Sequence, residues 1–170
     1  MHFLRRLLLF PSFLLPLFLL AAALRAAEPI LKVIGPEATL VFTAAEFAAL
    51  PRTELRTLEP HEKKERLYSG VTIRELLARA GAPLGEKLRG PALALGVLVR
   101  SHDGYTVLFS LAEFDAAFSS RTLLLADRED GAAPPATAAP LRLVAPGDTR
   151  GGRWSRMVAS LEIVSFAPKP

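Results

Sequence analysis

The sequence predicts an α+β fold: β-rich mixed sheets with three short helices. Two observations predict it. Short apolar or alternating runs recur along the chain between Gly-Pro, Asp-Gly and Pro-Gly breaks, which is the punctuation of strands. Three Ser/Thr-x-x-Glu capping boxes, Thr43 with Glu46, Thr72 with Glu75 and Ser110 with Glu113, each follow such a run. The chain therefore drops repeatedly from a strand into a short helix.

Residues 30–34 read as a strand turned by Gly35-Pro36, and residues 39–42 as a second, short one. A helix over 44–50 then stops at Pro51. Residues 53–58 alternate as a strand does. Residues 60–66 (PHEKKER) read as a solvated, charged loop, and residues 67–71 lead back into order through Gly70. The second helix starts at Thr72, places Ile73, Leu76, Leu77 and Ala80 on one face, and ends at Gly81. After a loop over 83–91, the apolar run 92–100 and the segment 105–109 flank a hairpin turn at Asp103-Gly104. The third helix is expected from Ser110 to about Phe118. Strands at 122–126, 141–144 and 160–166 complete the chain, and its last residues, from Ala167, are expected to fray. The loop between residues 128 and 140 turns at Asp130-Gly131; its acids Glu129 and Asp130, and Asp127 before it, read as solvated. The total is seven or eight strands in one domain, residues 28–170.

Residues 1–27 have the layout of a cleaved secretory signal peptide: Arg5-Arg6, an apolar run over 7–24, and small residues after it. The run is long enough for an uncleaved membrane anchor, but Pro11, Pro16 and the alanine clusters favour cleavage. The leucine-rich run favours Sec export over the twin-arginine route. An exported, periplasmic domain with no stable membrane span is the expectation. Cleavage leaves 143 residues, enough for a core, and lowers the formal charge from +4 to +1, because Arg5, Arg6 and Arg25 leave with no acid. Nothing then argues for a nucleic-acid partner. The chain has no cysteine, so an exported domain must stand on its core without disulfides.

The stretch that carries chemistry is 141–157, LRLVAPGDTRGGRWSRM. It sets Arg142, Arg150, Arg153 and Arg156 around a strand and a loop containing Gly151 and Gly152. Glycines let backbone N–H groups approach a ligand, and arginine forks match oxyanions two oxygens at a time. Arg142, Gly151, Gly152, Arg153 and Arg156 are the candidate binding residues; the competing reading is a solvated basic loop. No Ser-His-Asp set, phosphate-binding P-loop or paired carboxylates can be argued, so no catalytic residue is assigned. His61 and His102 lack metal-ligand spacing, and no metal site is assigned.

Four pieces, YSGVTIRELLARAGA (68–82), HDGYTVLFSLAEF (102–114), LLLADREDG (123–131) and PLRLVAPGDTRGGRWSRMVASLEI (140–163), stand in an order and spacing that resemble the molybdopterin-binding domain of the sulfite oxidase family. The resemblance covers about two-thirds of the mature chain and is to small exported single-domain members without haem or dimerisation domains. It implies a β-rich α+β fold and a glycine-arginine-basic segment that holds the pterin phosphate. Gly152, Arg153 and Arg156 match that segment, while Trp154 and Ser155 depart from it. Arg142 matches an arginine of the family strand whose role is more structural. The family's molybdenum is bound by a cysteine thiolate before the second helix, and the corresponding region, 53–68, has none. Glu59 and His61 lie there and could in principle ligate a metal; the cofactor's dithiolene could also hold one without a protein thiolate. The favoured expectation is an exported relative that is non-catalytic, or that binds a small anion or pterin, with no molybdopterin retained. The alternatives are an active molybdopterin-dependent oxidoreductase lacking a thiolate ligand, and an envelope module that senses or binds a protein partner.

Overall fold

In the computed structural model residues 27–168 are described; the expected signal segment, apart from its last residue, and the end of the expected fraying tail lie outside them. The described chain folds into β1 (Pro29–Ile34), β2 (Thr39–Thr43), α1 (Ala44–Ala48), β3 (Thr53–Glu59), β4 (Lys64–Thr72), α2 (Ile73–Arg79), β5 (Leu95–Ser101), β6 (Thr106–Ser110), β7 (Leu124–Glu129), β8 (Arg142–Val144) and β9 (Val158–Ser165). These strands form two sheets. One has the order β2-β1-β9-β5-β6 and is mixed, because β1 and β9 run parallel. The other, β3-β4-β7-β8, is antiparallel throughout. Its middle strands β4 and β7 approach so closely at Gly70 that a Cβ there would lie 2.1 Å from the Leu125 carbonyl oxygen.

The period-2 pattern decides which residues enter the core. Val97, Val99, Val107, Phe109 and Leu161 point inward from the mixed sheet, whereas β7 and β8 of the antiparallel sheet are buried on both faces, with Leu125 and Leu143 on one and Tyr68 and Arg142 on the other. Together with Ile73, Leu76 and Leu77 of α2 the apolar ones among them belong to one buried cluster. The last strand, β9, lies between β1 and β5, so the mixed sheet is completed only by the C-terminal segment. Among the described residues no helix is long and apolar enough to cross a membrane.

The α+β class holds, but the helix count does not: among the described residues there are two α-helices. The capping box at Ser110 and Glu113 forms as expected, yet it opens only a 3-10 turn, Leu111–Phe114. Asp115 turns the chain out of helical geometry, and its carboxylate accepts N–H bonds from Gly85 (2.6 Å) and Ala117 (2.9 Å). The helix at Thr43 is shorter than expected, ending at Ala48. At Thr72 the side chain caps Glu75, while the Glu75 carboxylate pairs with Arg79 at 2.7 Å.

Among the described residues there are nine strands where seven or eight were expected. β4 starts at Lys64, which shortens the charged loop to a turn between β3 and β4. β7 continues to Glu129 because β4 pairs with it along that length. The acids expected to be solvated are therefore engaged. Asp127 pairs with Arg52, Glu129 with Arg66 and Arg142, and Asp130 with Arg66.

Candidate functional site

β8 carries Arg142 inward, where its side chain is 6% exposed. A buried guanidinium needs counter-charges, and two strands supply them. Nη2 donates to Glu59 Oε1 at 2.6 Å, and Nη1 to Glu129 Oε2 at 3.2 Å. The guanidinium carbon also lies 5.6 Å from the Tyr68 ring centroid and 5.7 Å from that of Trp154, within cation–π range. The second Glu59 oxygen accepts the N–H groups of His61 (2.8 Å) and Glu62 (2.5 Å) at the β3–β4 turn. Burial pushes the Glu59 carboxyl pKa up, but the Glu62 N–H, Arg142 and the His61 N–H outweigh it and hold the pKa below the usual glutamate value.

The loop after β8 is fixed by its own backbone. The indole N–H of Trp154 donates to the Ala145 carbonyl at 2.9 Å, and Leu143 N–H to the Ser155 carbonyl at 2.8 Å. Across the loop, the Tyr105 hydroxyl donates to the Gly152 carbonyl at 2.6 Å. Trp154 and Ser155, the two departures from the family segment, are both buried here.

The three candidate arginines end in three environments. Arg142 is internal. Arg153 is gripped by Asp148 through Nε and Nη2, at 2.9 and 2.7 Å, reaches Glu113 at 3.0 Å, and lies 4.6 Å from the Phe109 ring centroid. Arg121 pairs with the same two acids, closing a network of two cations and two carboxylates. Burial opposes ionisation of Asp148, yet Arg153 and Arg121 pull its pKa below the usual aspartate value; Arg153 is in turn held cationic, first by its hydrogen bond to Asp148.

Arg156 alone of the three is exposed, with no hydrogen bond or ion pair among the described residues. It borders two adjoining clefts that share His61. One, about 350 Å³, is walled by Glu59, Glu129 and Arg142; the other, about 250 Å³, by Tyr105, Gly151, Gly152 and Ser155. His61 packs on the bare face of Gly151, where a Cβ would fall 2.0 Å from Nε2. The turn carrying Glu59 and His61 thus faces the glycine loop.

Sequence reasoning missed the acids that engage the arginines. Glu59 carried a usable signal: along β3, residues Thr53, Leu55 and Thr57 are the more buried set, and Glu59 continues that register. Glu113 carried none, because its capping role accounted for it. Asp148 was visible only as a loop acid.

A molybdenum–pterin group fits these residues poorly. The metal favours a soft thiolate, and the chain has no cysteine. Glu59 has both oxygens occupied by the chain itself, and among the described residues no three His, Asp or Glu side chains gather around a metal-sized space. Of the arginines that would face phosphate, Arg153 is already neutralised.

No family model matches the chain, and no curated protein does. Among solved structures it is similar to the sulfane dehydrogenase SoxCD from Paracoccus pantotrophus, with a TM-score of 0.61 and 23% identity. The match covers 78% of this chain and 37% of that one. The chain therefore spans little more than a third of that protein's length. The likeness is one of fold, and it supports the sulfite-oxidase-like architecture expected from the sequence.

Proposed function

We propose that this chain is an exported, non-redox relative of the molybdopterin-binding oxidoreductase domain that binds a small anion at the glycine-arginine loop. One observation carries this reading. Arg156 is an exposed guanidinium without a counter-ion among the described residues, set beside His61 and the Gly151-Gly152 backbone at the rim of two clefts. Arg142 and Arg153 serve the fold, through Glu59, Glu129, Asp148 and Glu113. Arg156 then supplies the charge-assisted hydrogen bonds to the ligand, and Gly151 and Gly152 let it approach the backbone. The test is calorimetric titration with inorganic phosphate and with a pterin phosphate, joined to metal analysis of protein taken from its native envelope. Binding that Arg156→Ala abolishes and Arg153→Ala leaves in place supports the reading. Stoichiometric molybdenum in the native protein overturns it.

A second reading has its own observation. On the outer face of the mixed sheet, Leu108 (48% exposed) and Phe166 (61% exposed) converge over Gly96, 2.8 and 2.9 Å from where its Cβ would stand. Exposed apolar side chains gathered over one point of a sheet suit a protein contact. Under this reading the domain is an envelope interaction module. Cross-linking in intact cells that Leu108→Asp abolishes, with phosphate binding unaffected, would favour it.

A further inference from the structure

The Glu59–Arg142 pair is almost fully buried at the wall of a cleft, with side chains 2% and 6% exposed. A carboxylate so placed does what an external anion would do: it neutralises a guanidinium fixed in the fold. We infer that Glu59 is a tethered internal anion, and that removing its carboxylate converts Arg142 into a receptor for a small carboxylate such as acetate or formate. This inference rests on the reading that the domain is finished without a redox cofactor.

Four features support it. The guanidinium is held by more than Glu59, because Glu129 and the Tyr68 and Trp154 rings also contact it. Its position therefore survives loss of the carboxylate. Its Nε has no hydrogen-bond partner, so a planar guest finds a spare donor beside the vacated Nη2. Glu59 and Arg142 also border the 350 Å³ cleft next to Arg156, which gives a small anion a route in. At the turn, the N–H groups of His61 and Glu62 stand free once Glu59 is shortened, and they add donors for the same guest.

The experiment compares thermal unfolding of the wild type, Glu59→Ala and Glu59→Gln in sodium acetate and in sodium chloride at equal ionic strength. In chloride, Glu59→Ala is expected to melt about 10 °C below the wild type, since one partner of a buried pair is gone. Acetate is expected to raise the Glu59→Ala midpoint by several degrees more than chloride does, as a ligand bound only by the folded state must. Wild type and Glu59→Gln, whose side chains still fill the position, should show no such difference. An unchanged Glu59→Ala midpoint, or equal midpoints in the two salts, overturns the inference. Should Glu59→Ala fail to fold in chloride, refolding yield becomes the readout. Recovery in acetate supports the inference; no recovery while Glu59→Gln folds overturns it. Molybdenum content bears on the cofactor-free reading, whereas a missing acetate response bears on the Glu59 inference alone.

Discussion

Arg153 and Asp148 face one another fork to fork, with Nε and Nη2 donating to the two oxygens of one carboxylate at 2.9 and 2.7 Å. They are five residues apart, so the pair ties the entry of the glycine loop to its exit. Arg153 is one of the three residues, with Gly152 and Arg156, that match the family's phosphate-binding segment, and here it closes the loop on itself. Replacing Arg153 by alanine should leave Asp148 and Glu113 facing only Arg121. The side chain is 36% exposed, so screening keeps the expected loss to about 1–2 kcal/mol, measured by urea denaturation. Arg156→Ala, with no such partners, should unfold within about 0.5 kcal/mol of the wild type.

His61 lies on Gly151 where a Cβ would be 2.0 Å from its Nε2. The clashing atom is the end of an exposed, flexible side chain, so the ring can swing away at low cost. Gly151→Ala should therefore stay folded, within about 1 kcal/mol of the wild type. It should nonetheless move the His61 ring resonances in a two-dimensional NMR spectrum and leave those of His102 in place. Unmoved His61 signals would show that the ring does not rest on the loop.

Much of the fold was legible because it is written in local periodicity and turn chemistry. Thr43 and Ser110 form the reciprocal capping boxes that their spacing implies, and the alternation of Val97, Val99, Val107 and Phe109 marks the face that is buried. What was illegible depends on partners far away in sequence. Asp115 ends the would-be third helix by accepting from Gly85, thirty residues earlier. β7 continues to Glu129 because β4 lies alongside it. The site divides the same way. The glycine loop could be found from composition, but whether an arginine there is free depends on long-range acids. Glu59 is 83 residues from Arg142, and Glu113 is 40 from Arg153.

Gly70 tests the antiparallel sheet. A Cβ there would lie 2.1 Å from the Leu125 carbonyl oxygen and 2.6 Å from the Ala126 Cα. Both obstacles are backbone atoms of the paired strand, which cannot rotate aside. Gly70→Ala must therefore push β4 from β7 at the register shift between Ser69 and Gly70. A loss of about 3 kcal/mol or more is expected in chemical denaturation, far above the cost at Gly151.

Acid titration tests the buried charges. Glu59 and Asp148 both have folded-state pKa values below their ordinary values of 4.5 and 3.8. For each, burial works against ionisation, while hydrogen bonds and neighbouring arginines more than offset it. A lowered folded-state value means that the native state binds fewer protons than the unfolded chain as the pH falls. The stabilisation is therefore complete above the ordinary pKa values and is lost as pH drops through the lowered ones. The melting temperature should be level from neutral pH to about pH 5 and fall below it. Glu59→Gln removes one of the two titrations, so its melting temperature should start lower at neutral pH and fall less steeply below pH 4.5. Parallel curves for the two proteins would mean that Glu59 does not contribute to the acid transition.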